Sequence, residues 1–138
     1  MYKITLFNMP NTSWVLHGKN CIRLYAVQDI LINPNQISMI EFNGMSYEFN
    51  DCVGIPYIKK SENIHGVILY HTDNSFKWEK QGVAKIPIQN PTSNIIRIKK
   101  DEYLVSVRLM SIPFYKLWKR HDNSDYGIMS VPISIDIK

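Results

Sequence analysis

The sequence has little of what usually announces a chemistry. Its 138 residues contain only two cysteines, Cys21 and Cys52, which form no C-x-x-C pair and match no zinc-ligand spacing. The six glycines are scattered, so no Gly-rich loop leads into a helix to cradle phosphate. No G-x-S-x-G elbow is present. No stretch approaches the ~20 apolar residues of a membrane span, and no basic region followed by an apolar run marks a secretory leader. These absences set expectations: no membrane, no metal, no cofactor, and a cytoplasmic location with both cysteines reduced and acting as small hydrophobes.

What is present is ordinary for a globular protein. The hydrophobic fraction is 45% and the charged fraction 20%, which argues against a disordered chain. The length fits a single domain over 1–138. A chain of about 150 residues buries roughly 68–70% of the surface that its unfolded form exposes, enough for a core without staples. The net charge of +4 permits an anionic partner without demanding one. The enrichment in Ile, Asn, Lys and Tyr is a compositional habit of AT-rich genomes, so a phage, viral or mobile-element source is expected.

Short apolar runs separated by turn residues dominate the chain, the pattern of a β-rich fold. Strands are expected at Tyr2 to Phe7, Ser13 to His17, Cys21 to Val27 and Asp29 to Ile32. Ile37 to Phe42 and Met45 to Phe49 flank Asn43-Gly44, the pair best suited to a type I′ turn with φ > 0 at both positions. A hairpin is therefore predicted there, with Ile40, Phe42, Met45, Tyr47 and Phe49 on its inner face. Further strands are predicted at Val53 to Lys59, interrupted by Pro56, and at His65 to His71. In the latter, the run Val67-Ile68-Leu69-Tyr70 suggests a central strand buried on both faces. Phe76 to Trp78, Val83 to Ile88, Ile95 to Lys99, Glu102 to Leu109 and Val131 to Ile137 complete the set. Lys100-Asp101 suggests a tight hairpin between two of these strands.

One helix is predicted near 112–121. Ser111 can cap it, Pro113 sits in its first turn, and Phe114, Leu117, Trp118 and His121 recur at helical spacing. The expected fold is therefore all-β and mainly antiparallel, a β-sandwich or partly open barrel with one short helix.

Candidate chemistry is sparse. His65 and His71 lie six residues apart on one predicted strand, a span of about 20 Å that one metal ion does not bridge. The weak acid–base candidates are His71 with Asp73, which would suit a hydrolase or nuclease, and His121 with Asp122 and Asp125. Both groups occupy positions where polar residues usually serve turns. Lys77, Trp78 and Lys80, with Arg97 and Lys99, mix aromatic and basic side chains as a nucleic-acid surface does. Known nucleic-acid modules leave no signature in the chain. A β-core without convergent chemistry leads to the expectation of a non-enzymatic protein-interaction module: a virion or assembly component, or an inhibitor of a host protein. The alternative is a nucleic-acid-binding module on the basic and aromatic strand face. The expected partner is another protein, with nucleic acid as the second choice, and a homo-oligomer is compatible with either.

Overall fold

Alternating burial along the strands builds this fold, and a computed structural model describes it over residues 2–9, 14–16, 20–70, 76–120 and 133–138. In β1 (Lys3–Phe7), Ile4 and Leu6 point inward while their neighbours stay partly exposed. The same period-2 pattern recurs in β3 (Cys21–Tyr25), where Ile22 and Leu24 are buried. β2 (Trp14–Leu16), β4 (Ile30–Ile32), β6 (Ile68–Leu69) and β8 (Ile96–Ile98) are short. β5 (Ile37–Tyr57), β7 (Trp78–Gln89) and β9 (Tyr103–Ser111) are the long strands, and β10 (Ser134–Ile137) closes the order. The helix α1 (Ile112–Arg120) follows β9 directly. The Phe114 N–H donates to Ser111 Oγ at 3.2 Å, so the predicted cap is made.

The all-β expectation holds. Eight strands form one curled sheet with the path β10-β1-β5-β9-β3-β2, and β7 joins it through β5, with β6 on β7. β4 and β8 make a separate antiparallel pair. All neighbouring strands are antiparallel except β1 and β10. The inward side chains of both sheets merge into one apolar cluster that includes Ile4, Leu24, Ile32, Phe42, Trp78, Ile86, Ile98 and Val107.

Three local expectations change. Asn43-Gly44 does not reverse the chain: residues 37–57 run on as the single strand β5. Both residues do adopt the predicted left-handed conformation, with φ of 49° and 76°. That conformation serves a bulge instead of a turn. Glu41 pairs with Lys85 and Ser46 with Val83, so four residues of β5 oppose the single residue Ala84. A second irregularity lies between the Glu48–Gln81 and Val53–Glu79 pairs, where Asp51 and Lys80 have φ of 54° and 60°. The predicted inner face survives, with Ile40, Phe42, Met45 and Phe49 buried and Tyr47 packed against them. A bulge and a hairpin both return Phe42 and Met45 to the same side of the sheet, so side-chain pattern alone does not separate them.

The Val67–Tyr70 run is not a central strand. Ile68 and Leu69 pair along β7, the Tyr70 N–H donates to Pro87 O, and Ile68 and Tyr70 are exposed. Lys100-Asp101 joins strands that diverge. A turn does form, with the Glu102 N–H donating to Lys99 O at 3.1 Å, but β8 pairs with β4 whereas β9 pairs with β3 and β5.

Candidate functional site

The strand β9 lies between β3 and β5, and its two faces differ in character. Val105, Val107 and Leu109 point into the core with Ile22 and Leu24 of β3. The opposite face carries polar and aromatic side chains together with Ile55 and the buried Met110. Antiparallel register places Cys21 beside Arg108, Arg23 beside Ser106 and Tyr25 beside Tyr103. On the other flank, Ser106 faces Tyr57 and Arg108 faces Ile55. Directly paired residues share a face, so two arginines, three tyrosines, a serine and a thiol form one surface. The register shift between Leu24 and Tyr25 brings Tyr103 onto this side.

Hydrogen bonds tie the surface together. The Lys59 N–H donates to the Tyr103 hydroxyl at 3.0 Å, and that hydroxyl shares a bond of 2.9 Å with Ser106 Oγ. Tyr57 Oη lies 3.3 Å from Cys21 Sγ. Burial pushes the Tyr57 phenol above its ordinary pKa and the Cys21 contact adds to this, while Ser106 and Arg108 pull it back.

Charge is distributed unevenly across the face. At one end, the 3₁₀ turn Lys60–Glu62 carries Glu62 over Arg23, and the two form an ion pair. Lys59 Nζ reaches the other Glu62 oxygen at 3.5 Å. The Arg23 guanidinium also lies over the Tyr103 ring, 5.1 Å from its centroid. Beside it, His65 Nε2 and Glu102 Oε2 are 3.1 Å apart. The Lys99 backbone N–H donated to Glu102 is the largest cause holding that carboxyl below its usual range, and His65 contributes to it. At the other end, the Arg108 guanidinium lies over the rings of Tyr57 and Trp118, at 5.3 and 5.9 Å from their centroids. A surface of this kind suits a ligand that joins a planar ring to a negative group: rings stack on rings, and guanidinium forks match oxyanions.

The residues singled out from sequence do not converge in this way. Trp78 is 1% exposed, its indole stacks on Tyr47 at 5.1 Å, and its N–H donates to Lys85 O, so it is not available to stack on a base. Lys77 and Lys80 stand at the start of β7, Lys77 within 4.0 Å of Glu79. Arg97 and Lys99 belong to the small β4–β8 sheet and its following turn. His71, Asp73 and His121 lie outside the described residues. Arg23 and Arg108 were missed because each reads as the outward member of an ordinary alternating strand. The only signal available was a cation at that outward position in two different strands.

Cys52 is buried, and burial pushes its thiol up to about 11. At pH 8 only about one such thiol in a thousand is ionised, and the thiolate is the reactive form. In a Cys21→Ser variant, a disulfide-exchange reagent should therefore leave the folded protein unlabelled and modify one thiol per chain in denaturant. Labelling of the folded variant at the rate of a free thiol would contradict the burial of Cys52.

No family model matches the chain, and no curated protein matches it. Solved structures do. The dUTPase of Staphylococcus bacteriophage 80alpha superposes with a TM-score of 0.61 at 12% identity, covering 79% of this chain and 90% of that one. The EIAV dUTPase gives 0.59 at 12%, covering 78% and 88%. The phage phi11 dUTPase of S. aureus, whose structure describes a structural Mg(II) ion, gives 0.60 at 11%, covering 79% and 90%. The 80alpha enzyme has also been solved with dUpNHpp. The chain thus has the dUTPase fold. This overturns the expectation of a non-enzymatic interaction module, and with it the nucleic-acid-binding alternative: the proteins that share the fold are enzymes named for a nucleotide.

Proposed function

We propose that this chain is a nucleotide hydrolase acting on a deoxyuridine nucleotide, with the polar face of β3, β9 and β5 as its nucleotide surface. The observation that carries the reading is the shared fold across nearly the whole length of the phage dUTPases. The chemistry of the face supports it. Arg108 offers a guanidinium group to phosphate, Arg23 being paired with Glu62, and Tyr25, Tyr57 and Tyr103 offer rings to a base. His65, oriented by its 3.1 Å contact with Glu102, is the imidazole at this rim and the candidate general base.

The Mg(II) of the phi11 protein has no counterpart cage among the described residues, where no three His, Cys, Asp or Glu side chains converge. Glu62 and Glu102 are each already committed to a cation or a backbone N–H. The same reading takes the protein as a single domain that works inside the cell, in the host if the gene is viral. A phage or viral source is consistent with the EIAV and phage neighbours. Assembly into a homo-oligomer belongs to the proposal. Among the described residues no helix is long and apolar enough to cross a membrane.

The test is incubation of the purified chain with dUTP, dCTP, dTTP and dATP, with nucleotide products resolved by chromatography. Consumption of dUTP is expected to exceed that of the other three by at least about tenfold, since a site that hydrogen-bonds one base rejects others by such factors or more. His65→Gln should lower kcat with little change in KM. The absence of both dUTP turnover and dUpNHpp binding would end the proposal.

A further inference from the structure

We infer that Arg108 and the indole N–H of Trp118 frame an oxyanion subsite at the far end of the polar face, and that the group it takes is a phosphate. The choice of phosphate rests on the nucleotide reading above. The oxyanion itself follows from the two donors.

The first observation is the state of Arg108. Its strand neighbours are Cys21 and Ile55, and its guanidinium lies over the rings of Tyr57 and Trp118. Contact with ring faces holds the planar group in place while leaving its edge N–H donors available. No carboxylate among the described residues pairs with it: the ion pairs use Lys3, Arg23, Lys59, His65 and Lys77. The two arginines of the face therefore differ. The charge of Arg23 is met by Glu62, whereas among the described residues that of Arg108 is met by ring faces alone.

The second observation is independent of charge. Trp118 Nε1 is buried and has no acceptor among the described residues. A buried donor without a partner costs about 1–3 kcal/mol. Such a group calls for explanation, and an incoming ligand that supplies the acceptor is one. The Arg108 guanidinium carbon lies over the Trp118 ring, 5.9 Å from its centroid, so the buried donor belongs to the same ring that Arg108 covers.

Together they ask for a ligand with several acceptor atoms and negative charge. The nearby groups among the described residues do not supply one. Tyr57 and Cys21 are bonded to each other, and Glu62 and Glu102 serve the opposite end of the face. A phosphate oxygen pair fits the arginine fork while a third oxygen accepts from the indole. A nucleotide lying along the face would place its ring among the tyrosines and its phosphate end against Arg108.

The experiment follows the indole N–H resonances of the 15N-labelled protein during separate titrations with sodium phosphate, pyrophosphate, dUMP and dUTP, at ionic strength held constant with NaCl. The chain has three tryptophans, and the Trp118 signal is assigned by its loss in Trp118→Phe. Pyrophosphate and dUTP are expected to move that resonance saturably, while NaCl alone does not. Arg108→Lys keeps the charge but loses the fork, and should weaken the apparent Kd by about tenfold or more, with the other two indole signals unmoved as evidence of intact folding. Free phosphate matching dUTP in affinity would mark a general phosphate site. A dUTP preference would mark a nucleotide subsite. Either outcome supports the inference.

A Trp118 signal that stays still up to about 10 mM pyrophosphate, a concentration reaching well past weak millimolar binding, would overturn it. So would a titration unchanged in Arg108→Lys. The two proposals fail separately. Turnover of dUTP without movement of Trp118 removes the subsite alone, and a pyrophosphate-driven shift without dUTP binding or turnover removes the dUTP reading alone.

Discussion

Replacing Trp78 with alanine is expected to destabilise the fold by about 3–5 kcal/mol, the usual range for deleting a buried aromatic side chain. The indole is 1% exposed and sits where β7 begins its pairing with β5, opposite Gly54. Its ring stacks on Tyr47 with an interplanar angle of 9°, and its N–H donates to Lys85 O at 3.1 Å. Alanine removes the filling, the stack and the hydrogen bond together. Domains of this size are stable by only about 5–15 kcal/mol, so Trp78→Phe provides the milder companion. It keeps an aromatic ring on Tyr47 but leaves the Lys85 carbonyl without its donor. Urea unfolding measures both variants. A loss below about 1 kcal/mol in Trp78→Ala, typical of surface positions, would show that the indole is not a core residue and would reopen its availability to a ligand.

The second large effect is expected at Asn90. This side chain is fully buried just beyond the end of β7. Its Nδ2 donates to Ile32 O at 2.9 Å and to Asn94 O at 2.7 Å, while Oδ1 accepts from the Thr92 N–H and hydroxyl. The Asn90 backbone also bonds in both directions, to Gln36 O and from the Asn35 N–H. The side-chain amide thus joins the end of β4 to the loop leading to β8, and the backbone of the same residue holds the turn before β5. Asn90→Asp keeps the shape but turns two donors into acceptors facing carbonyl oxygens. Burying that carboxylate should cost several kcal/mol at pH 7.

The sign of the pH dependence follows. Burial and facing carbonyls raise the pKa of the introduced carboxyl in the folded state above its unfolded value of about 3.9. The ionisation penalty is absent below the unfolded pKa, grows as pH rises through the gap, and is complete above the folded pKa. The stability difference between Asn90→Asp and wild type should therefore shrink steadily from pH 7 to pH 4 in urea titrations. A difference independent of pH would mean that the side chain is not enclosed as described.

Much of the fold was legible locally. Ile4, Leu6, Ile22 and Leu24 reach the core because alternation along a strand is a property of the backbone itself. Ser111 caps α1 because a hydroxyl at that offset meets a free N–H wherever the helix lies. Asn43 and Gly44 take positive φ because their sterics permit it. Less of the site was legible. Basic and aromatic residues adjacent in sequence, such as Lys77 and Trp78, read as a surface, yet the packing of β7 on β5 drew Trp78 inside. Arg23 and Arg108 attracted no notice because each stands alone between apolar neighbours in its own strand.

The sequence by itself determined which side chains turn inward, where the helix starts and where the backbone can bend, since these depend on neighbours within a few residues. Only the tertiary structure decided that the bend at Asn43-Gly44 continues into one long strand, because the partner β7 runs past it on both sides and holds it straight enough to pair. Only the tertiary structure, likewise, set Arg23, Tyr57, Arg108 and Trp118 on one face. Their meeting depends on the order of β3, β9 and β5 in the sheet, and strand order comes from the mutual burial of distant apolar faces, which no local pattern encodes.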